Sequence, residues 1–357
     1  MKTRTGFLAV FVLPLSLLAA REANAQSCSP PYFVEQAFPR NAPEETRWKL
    51  CWQVIDGPSL VITGAWFRPA PTAPWVQLIF DARLSQLFVP YHAGSPRFLD
   101  VTFGFGSLSL SAKGCPAPAK IIGMNQETCK EVRDRGLVWE NWGDSRRGQE
   151  LVLWSILHAA NYNYIVEWTF RDDGALIGRL GATGEISGTD AHMHGPAWRL
   201  DVDLNGASGD GATLFRHSEG GAQGSDSHPA ITTENSWHWN TYEFSMLEIH
   251  DQTLRNANGK QTEWHLMPTV SGIPFHWESW TRDPFWVTRY HWNEMFADNL
   301  MTYTSPPEGV SNADIVVWYY AGLHHMVRDE DTNMTHLMWV GFMLRPFNLW
   351  ATTPLFP

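Results

Sequence analysis

The chain has 357 residues, a formal net charge of −11, 44% hydrophobic residues and only 18% charged ones. An acidic surface repels polyphosphates, so nucleic acid is excluded as a partner class. Nineteen tryptophans, many Gly and Pro residues and no sustained helical period predict one β-rich body rather than a helical bundle.

Residues 1–25 open with Lys2 and Arg4, run through an apolar stretch from Phe7 to Ala20 and close on Ala23-Asn24-Ala25. This order predicts a secretory signal rather than a membrane anchor, because Pro14 interrupts a run too short for a bilayer. Export implies a secreted or periplasmic location, and loss of the segment moves the charge to −13. Residues 26–50 then read as an N-terminal extension to a domain over 51–357. Four cysteines in an exported chain predict disulfides. Of the three connectivities open to Cys28, Cys51, Cys115 and Cys129, proximity favours Cys28 with Cys51 and Cys115 with Cys129.

Short β-branched or aromatic runs between turn signals predict strands at Leu60 to Ile62, Val76 to Phe80, Phe98 to Phe105, Leu151 to Leu157, Tyr164 to Phe170, Ile315 to Tyr320 and Met338 to Leu344. The fold class they imply is all-β, a large antiparallel β-sandwich. The Gly-, Ser- and Asp-rich stretch from Asn205 to Pro229 predicts a long surface loop.

Three places carry chemistry. Tyr162 and Tyr164 share a strand face, and alone they read as core tyrosines with hydrogen-bonded hydroxyls. His192-Met193-His194 puts two imidazoles on one face, and Asp201-Val202-Asp203 repeats the spacing with oxygen. Imidazole suits copper or zinc and carboxylate suits calcium or manganese, so this run reads as two different metal sites. With 14 histidines in the chain an H-x-H pair arises easily by chance, so a third ligand is needed. His324-His325 supplies it, and only one of the two can face the pair, because adjacent strand residues point opposite ways.

In register from about Gln77 to Phe347 the chain resembles the catalytic domain of the copper amine oxidases, which convert one of their own tyrosines to topaquinone. The resemblance runs through Phe88-Val89-Pro90-Tyr91, Phe98-Leu99-Asp100, Asn161-Tyr162, Gly181-Ala182-Thr183-Gly184, the H-x-H run into Arg199-Leu200-Asp201-Val202-Asp203, Trp286-Val287-Thr288-Arg289-Tyr290, Asp314 to His325, and Gly341 to Phe347. It implies Tyr162 as the topaquinone precursor beside Asn161, and His192, His194 and His325 as copper(II) ligands. It also implies Asp100 as catalytic base and Tyr91 as hydrogen-bond partner of the quinone. Asp201, Asp203 and Asp314, with the carbonyls of Val202 and Ile315, match a peripheral site for a hard cation such as calcium or manganese. Asn163 stands where the family has an acidic residue, and the chain resembles a minimal form without the family's N-terminal domains.

The implied function is a secreted copper and quinone enzyme that deaminates a small primary amine with O₂ to aldehyde, ammonia and hydrogen peroxide, with no nucleic-acid or membrane partner; a homodimer is left open. The alternative is a non-catalytic β-sandwich binding protein, with or without copper, whose tryptophans form a ligand surface.

Overall fold

The computed structural model describes residues 28–39, 45–185, 190–218, 226–238, 243–269, 277–331 and 334–355. The predicted signal segment lies outside them. Two antiparallel sheets face each other, as the period-2 patterning requires. One runs, in spatial order, Phe33–Pro39, Glu45–Ile55, Ser59–Arg68, Asp81–Pro90, His192–Asp201, Ile315–Tyr320, Phe285–Arg289 and Asn235–Trp237, with three short strands paired at its side. The other runs Ala230–Ile231, Asp210–Ser218, Glu243–Arg255, Gln261–Thr269, Thr335–Phe347, Leu176–Gly184, Tyr162–Arg171, Asp144–Ala159, Thr128–Asn141 and Lys120–Ile122.

Alternation explains the Tyr162–Arg171 strand. Tyr162, Tyr164, Val166, Trp168 and Phe170 all face the core, while Asn163 and Ile165 are only half-buried. Trp168 is fully buried and its indole N–H donates to the Leu60 carbonyl at 3.0 Å, linking the two sheets. Trp48 does the same to the Arg171 carbonyl at 2.7 Å. Removing a buried ring of this size costs about 3–5 kcal/mol, so these tryptophans are core residues rather than a ligand surface.

The strand His192–Asp201 is central to its sheet and buried at all ten positions. Its histidines face the second sheet, while Met193 joins a separate apolar cluster with Phe88, Trp280, Trp318 and Tyr320 on the opposite side. A strand covered on both faces loses the usual polar alternation. Both expected disulfides are present, Cys28–Cys51 and Cys115–Cys129.

Three expectations are corrected. The stretch from Asn205 to Pro229 is not one long loop, because Asp210–Ser218 pairs along Glu243–Arg255. Ala212 and Leu214 carry a buried alternation that the flanking Gly, Ser and Asp residues hide. Phe98 to Phe105 is not a continuous strand: pairing stops at Leu99, and Asp100 to Gly104 turns away, with Gly104 in the left-handed region. Finally, the spacing of eleven residues from Asp314 to His325 predicts one strand joining the two metal sites, but Ile315–Tyr320 and Leu323–His325 are separate, with Ala321 and Gly322 between them.

Candidate metal centre and active site

Antiparallel pairing assembles the histidines. His192 lies directly opposite His325, and His194 opposite Leu323. His324 pairs with Met193 and so faces away from them. One ligand atom from each of His192, His194 and His325 lies within 4.8 Å of the others, and all three side chains are buried.

Hydrogen bonds on the far side of each ring fix which nitrogen is free. His192 Nδ1 donates to the Asp190 carbonyl at 3.0 Å. His325 Nε2 faces the Asp331 carboxylate at 3.4 Å. Asp331 is held at a pKa of about 2, chiefly by the Arg328 side chain, so it is a charged acceptor. His194 Nδ1 meets the Tyr164 hydroxyl at 3.0 Å. That hydroxyl hydrogen-bonds Asp100, and as it has one proton to give the carboxylate, it accepts from His194.

The three remaining nitrogens, His192 Nε2, His325 Nδ1 and His194 Nε2, therefore present lone pairs. Burial lowers all three imidazole pKa values, that of His192 to about 4, so the rings are neutral. The Tyr162 hydroxyl sits among them, 2.9 Å from His192 Nε2 and 3.2 Å from His325 Nδ1. Burial pushes its pKa well up, so it keeps its proton. One proton thus serves three lone pairs. His192 Nε2 and His325 Nδ1 stand 3.3 Å apart, and His194 Nε2 has no hydrogen-bond partner among the described residues. An orphaned buried acceptor beside two crowded ones is unfavourable for bare protein and fits a bound metal ion.

Tyr162 is positioned by its neighbour strand. Gly184 is its register partner with φ of +133°, and a Cβ there would stand 2.4 Å from the Asn161 carbonyl oxygen and 2.8 Å from Tyr162 Cα. Gly184→Ala is expected to destabilise the fold by at least about 1 kcal/mol, measured by denaturant unfolding, because a side chain meets both an unfavourable φ and a backbone collision. Asn161 contributes its backbone carbonyl, which accepts from Glu185 N–H at 2.9 Å, and its side chain is exposed. Asn163 points away from the metal centre, with Oδ1 2.9 Å from His158 Nδ1.

Asp100 reaches this centre by a hairpin. The chain turns between Tyr91 and Arg97, and Asp100 N–H donates to the Leu87 carbonyl at 2.9 Å. Since Phe88 lies opposite Gly195, the turn brings Asp100 beside the His194 end of the buried strand. Burial raises its pKa to about 7, and the Tyr164 hydrogen bond pulls it partly back. Tyr91 stacks on His192, with ring centroids 4.6 Å apart and planes at 21°. It packs on a metal-facing imidazole, and no hydrogen bond joins it to Tyr162 among the described residues.

A second cluster brings together Asp201, Asp203 and Asp314, with ligand atoms within 4.8 Å of one another. Val202 and Ile315 lie beside them in the chain and are buried. Burial raises the Asp203 pKa to about 6, and burial with Asp203 raises that of Asp314 to about 7. Arg199 stands 3.5 Å from Asp201, yet Asp203 Oδ2 has no hydrogen-bond partner among the described residues. Asp210, which sequence reading missed, joins this acidic region with both carboxylate oxygens unpartnered among the described residues and burial raising its pKa to about 10. Tyr164, Asp190 and Asp331 were also missed as supports of the histidines. Only the alternation that puts Tyr164 on the Tyr162 face hinted at any of them.

Fold and site together define a class: an antiparallel sandwich with a buried three-imidazole centre closed by a tyrosine hydroxyl. The sequence matches the model of the copper amine oxidase enzyme domain over residues 135–205 and 189–356, and the chain belongs to that family. It is 22% identical to a primary amine oxidase of Pisum sativum over 362 residues, covering 78% of this chain and 54% of that one. It is 24% identical to a copper methylamine oxidase of Arthrobacter sp. (strain P1) over 280 residues, covering 63% of this chain and 43% of that one. The chain spans about half the length of the curated relatives it matches. Among solved structures, a copper-containing benzylamine oxidase from Hansenula polymorpha shares the fold with a TM-score of 0.74 at 17% identity, covering 99% of this chain and 64% of that one. A Pichia pastoris lysyl oxidase aligns with a TM-score of 0.70 at 18% identity, covering 86% and 52%.

Proposed function

We propose that this protein is an exported amine oxidase that converts a primary amine and O₂ to an aldehyde, ammonia and hydrogen peroxide. The observation that carries this reading is the meeting of three locked imidazole lone pairs around the Tyr162 hydroxyl. A binding protein has no need to aim a tyrosine at its metal ligands. His192, His194 and His325 would hold copper(II), and Tyr162 would be the precursor of topaquinone. Together they would supply an electron acceptor for the amine and pass its electrons to O₂.

The chain's own residues do the rest. Asp100 takes the proton from the carbon bearing the amine, a role for a buried carboxylate whose pKa of about 7 makes it both basic and partly ionised at neutral pH. Tyr164 orients that carboxylate and, through His194, ties it to the metal ligands. Asp331 and the Asp190 carbonyl keep their imidazoles from turning. Tyr91 covers His192 and limits its ring motion. The order of residues 1–25 and the two disulfides support export.

The test is copper loading of metal-free protein in air, followed by a redox-cycling quinone stain, intact mass and assay of amine-dependent peroxide. Stain, added mass and peroxide together are expected. Copper uptake with none of the three would leave the binding-protein reading.

Asp201, Asp203 and Asp314 are proposed to hold calcium or manganese as a structural ion, supported by the unpartnered Asp203 oxygen. Their folded pKa values are raised, so without metal the stability they contribute is present in acid and is lost as pH climbs towards 7. A cation reverses this at neutral pH. Calcium at 100 times its Kd should add about 2.7 kcal/mol to metal-depleted protein, read as a rise in Tm. Asp203→Asn should remove most of that rise, and an equal rise in the variant would exclude the site.

A further inference from the structure

On the outer face of the second sheet, two neighbouring strands each carry a Glu-x-His triplet: Glu248-Ile249-His250 and Glu263-Trp264-His265. The strands are antiparallel, so Glu248 lies opposite His265 and His250 opposite Glu263. Leu247, Ile249, Trp264 and Leu266 point into the core from the same strands and are fully buried. By alternation the Glu and His side chains share the other face.

An outer face should be wet, yet Glu248 and His265 are each only 5% exposed and His250 is 9% exposed. They are covered: Phe347 stacks on His265 with centroids 4.4 Å apart, and His228, itself against Phe215 at 5.0 Å, reaches Glu248. His228 Nδ1 is 3.0 Å from Glu248 Oε2, Thr213 Oγ1 donates to the same carboxylate at 2.6 Å, and His265 Nε2 is 2.7 Å from Glu263 Oε2. Ligand atoms of Glu248, Glu263 and His265 lie within 4.8 Å of one another. His250 Nε2 is already engaged by the Gln252 amide at 3.1 Å, so it borders the group without joining it.

Charge decides what this group wants. Two carboxylates converge here, one of them buried, and among the described residues neither has a Lys or Arg partner. Packed carboxylates without a fixed counter-charge are costly, and a divalent cation offsets the cost best. Imidazole is a poor ligand for calcium, while two carboxylates with one or two imidazoles suit zinc-class ions. We propose that Glu248, Glu263 and His265, with His228 as a fourth ligand, form a binding site for a divalent transition ion of the zinc class, separate from the three-imidazole centre and the aspartate cluster. The half-exposed His228 gives the ion its way in from solvent. This site stands whether or not the protein oxidises amines.

The probe is zinc(II) added to copper-free protein in calcium-containing buffer, with unbound metal removed by gel filtration and the remainder counted by elemental analysis. The expected result is two zinc ions per chain, one at the three imidazoles and one here. Glu248→Gln and His265→Gln should each bring the count to one, with affinity at the remaining ion unchanged. Glu263→Gln should weaken the second zinc at least 10-fold. Circular dichroism without metal checks folding. If the buried His265 variant fails to fold, the two near-isosteric Glu→Gln variants decide. A single zinc in the wild type that Glu248→Gln leaves in place, or two bound with unchanged affinity in those variants, overturns the proposal.

Discussion

Tyr162→Phe protein loaded with copper in air is expected to keep its metal, to give no quinone stain and to lose amine-dependent peroxide entirely. The substitution removes one oxygen and little volume, so the ring still packs against Tyr164 and the strand pairing survives. What disappears is the only proton donor that faces His192 Nε2 and His325 Nδ1 among the described residues. Without a bound ion those lone pairs would then be crowded against each other with nothing between them, which should lower the stability of the metal-free variant. Copper should offset that loss, because all three nitrogens become free for it. The measurement pairs a quinone stain with thermal melts, with and without copper. A variant that stains like wild type would remove Tyr162 as the precursor, and Tyr164, whose ring centroid is 5.8 Å away, would be the next tyrosine to replace.

Much of this centre was legible in the sequence because its parts are local or lie on paired strands. The H-x-H spacing fixes one face by backbone geometry alone, and the order of motifs singles out His325, which the antiparallel register then places opposite His192. The supports were not legible. Asp331 is six residues beyond His325 across a turn, and Tyr164 reaches His194 from the other sheet, so neither contact follows from local spacing. The strand Asp210–Ser218 was hidden for a different reason: its buried residues are few and its flanks carry turn chemistry, so tertiary pairing overrides the local signal. The twin Glu-x-His triplets were plain in the sequence and meant nothing until register set each glutamate against a histidine.

Asp100→Asn is expected to build the quinone normally and then to turn over amine at least about 10²-fold more slowly, the loss usual for a missing general base. Asn keeps the size of the side chain and a hydrogen bond to Tyr164, so the His194 tautomer and copper binding should survive. It cannot accept a proton. Asp81 is no substitute, because Arg83 and Arg199 both engage its carboxylate. The pH dependence separates a base from a structural carboxylate. Burial raises the Asp100 pKa to about 7, so the ionised, working form grows as pH rises through neutrality. Wild-type turnover should therefore fall about tenfold per pH unit below that point, and the small residual rate of the Asn variant should lack this limb. Stability runs the other way: with a folded pKa above the unfolded one, what Asp100 contributes is present in acid and is lost as pH climbs through 7. A structural carboxylate would show that stability change alone. Rapid-mixing absorbance across pH 5–9 reads the turnover and denaturant unfolding over the same range reads the stability, and wild-type turnover in the Asn variant would take Asp100 out of the reaction.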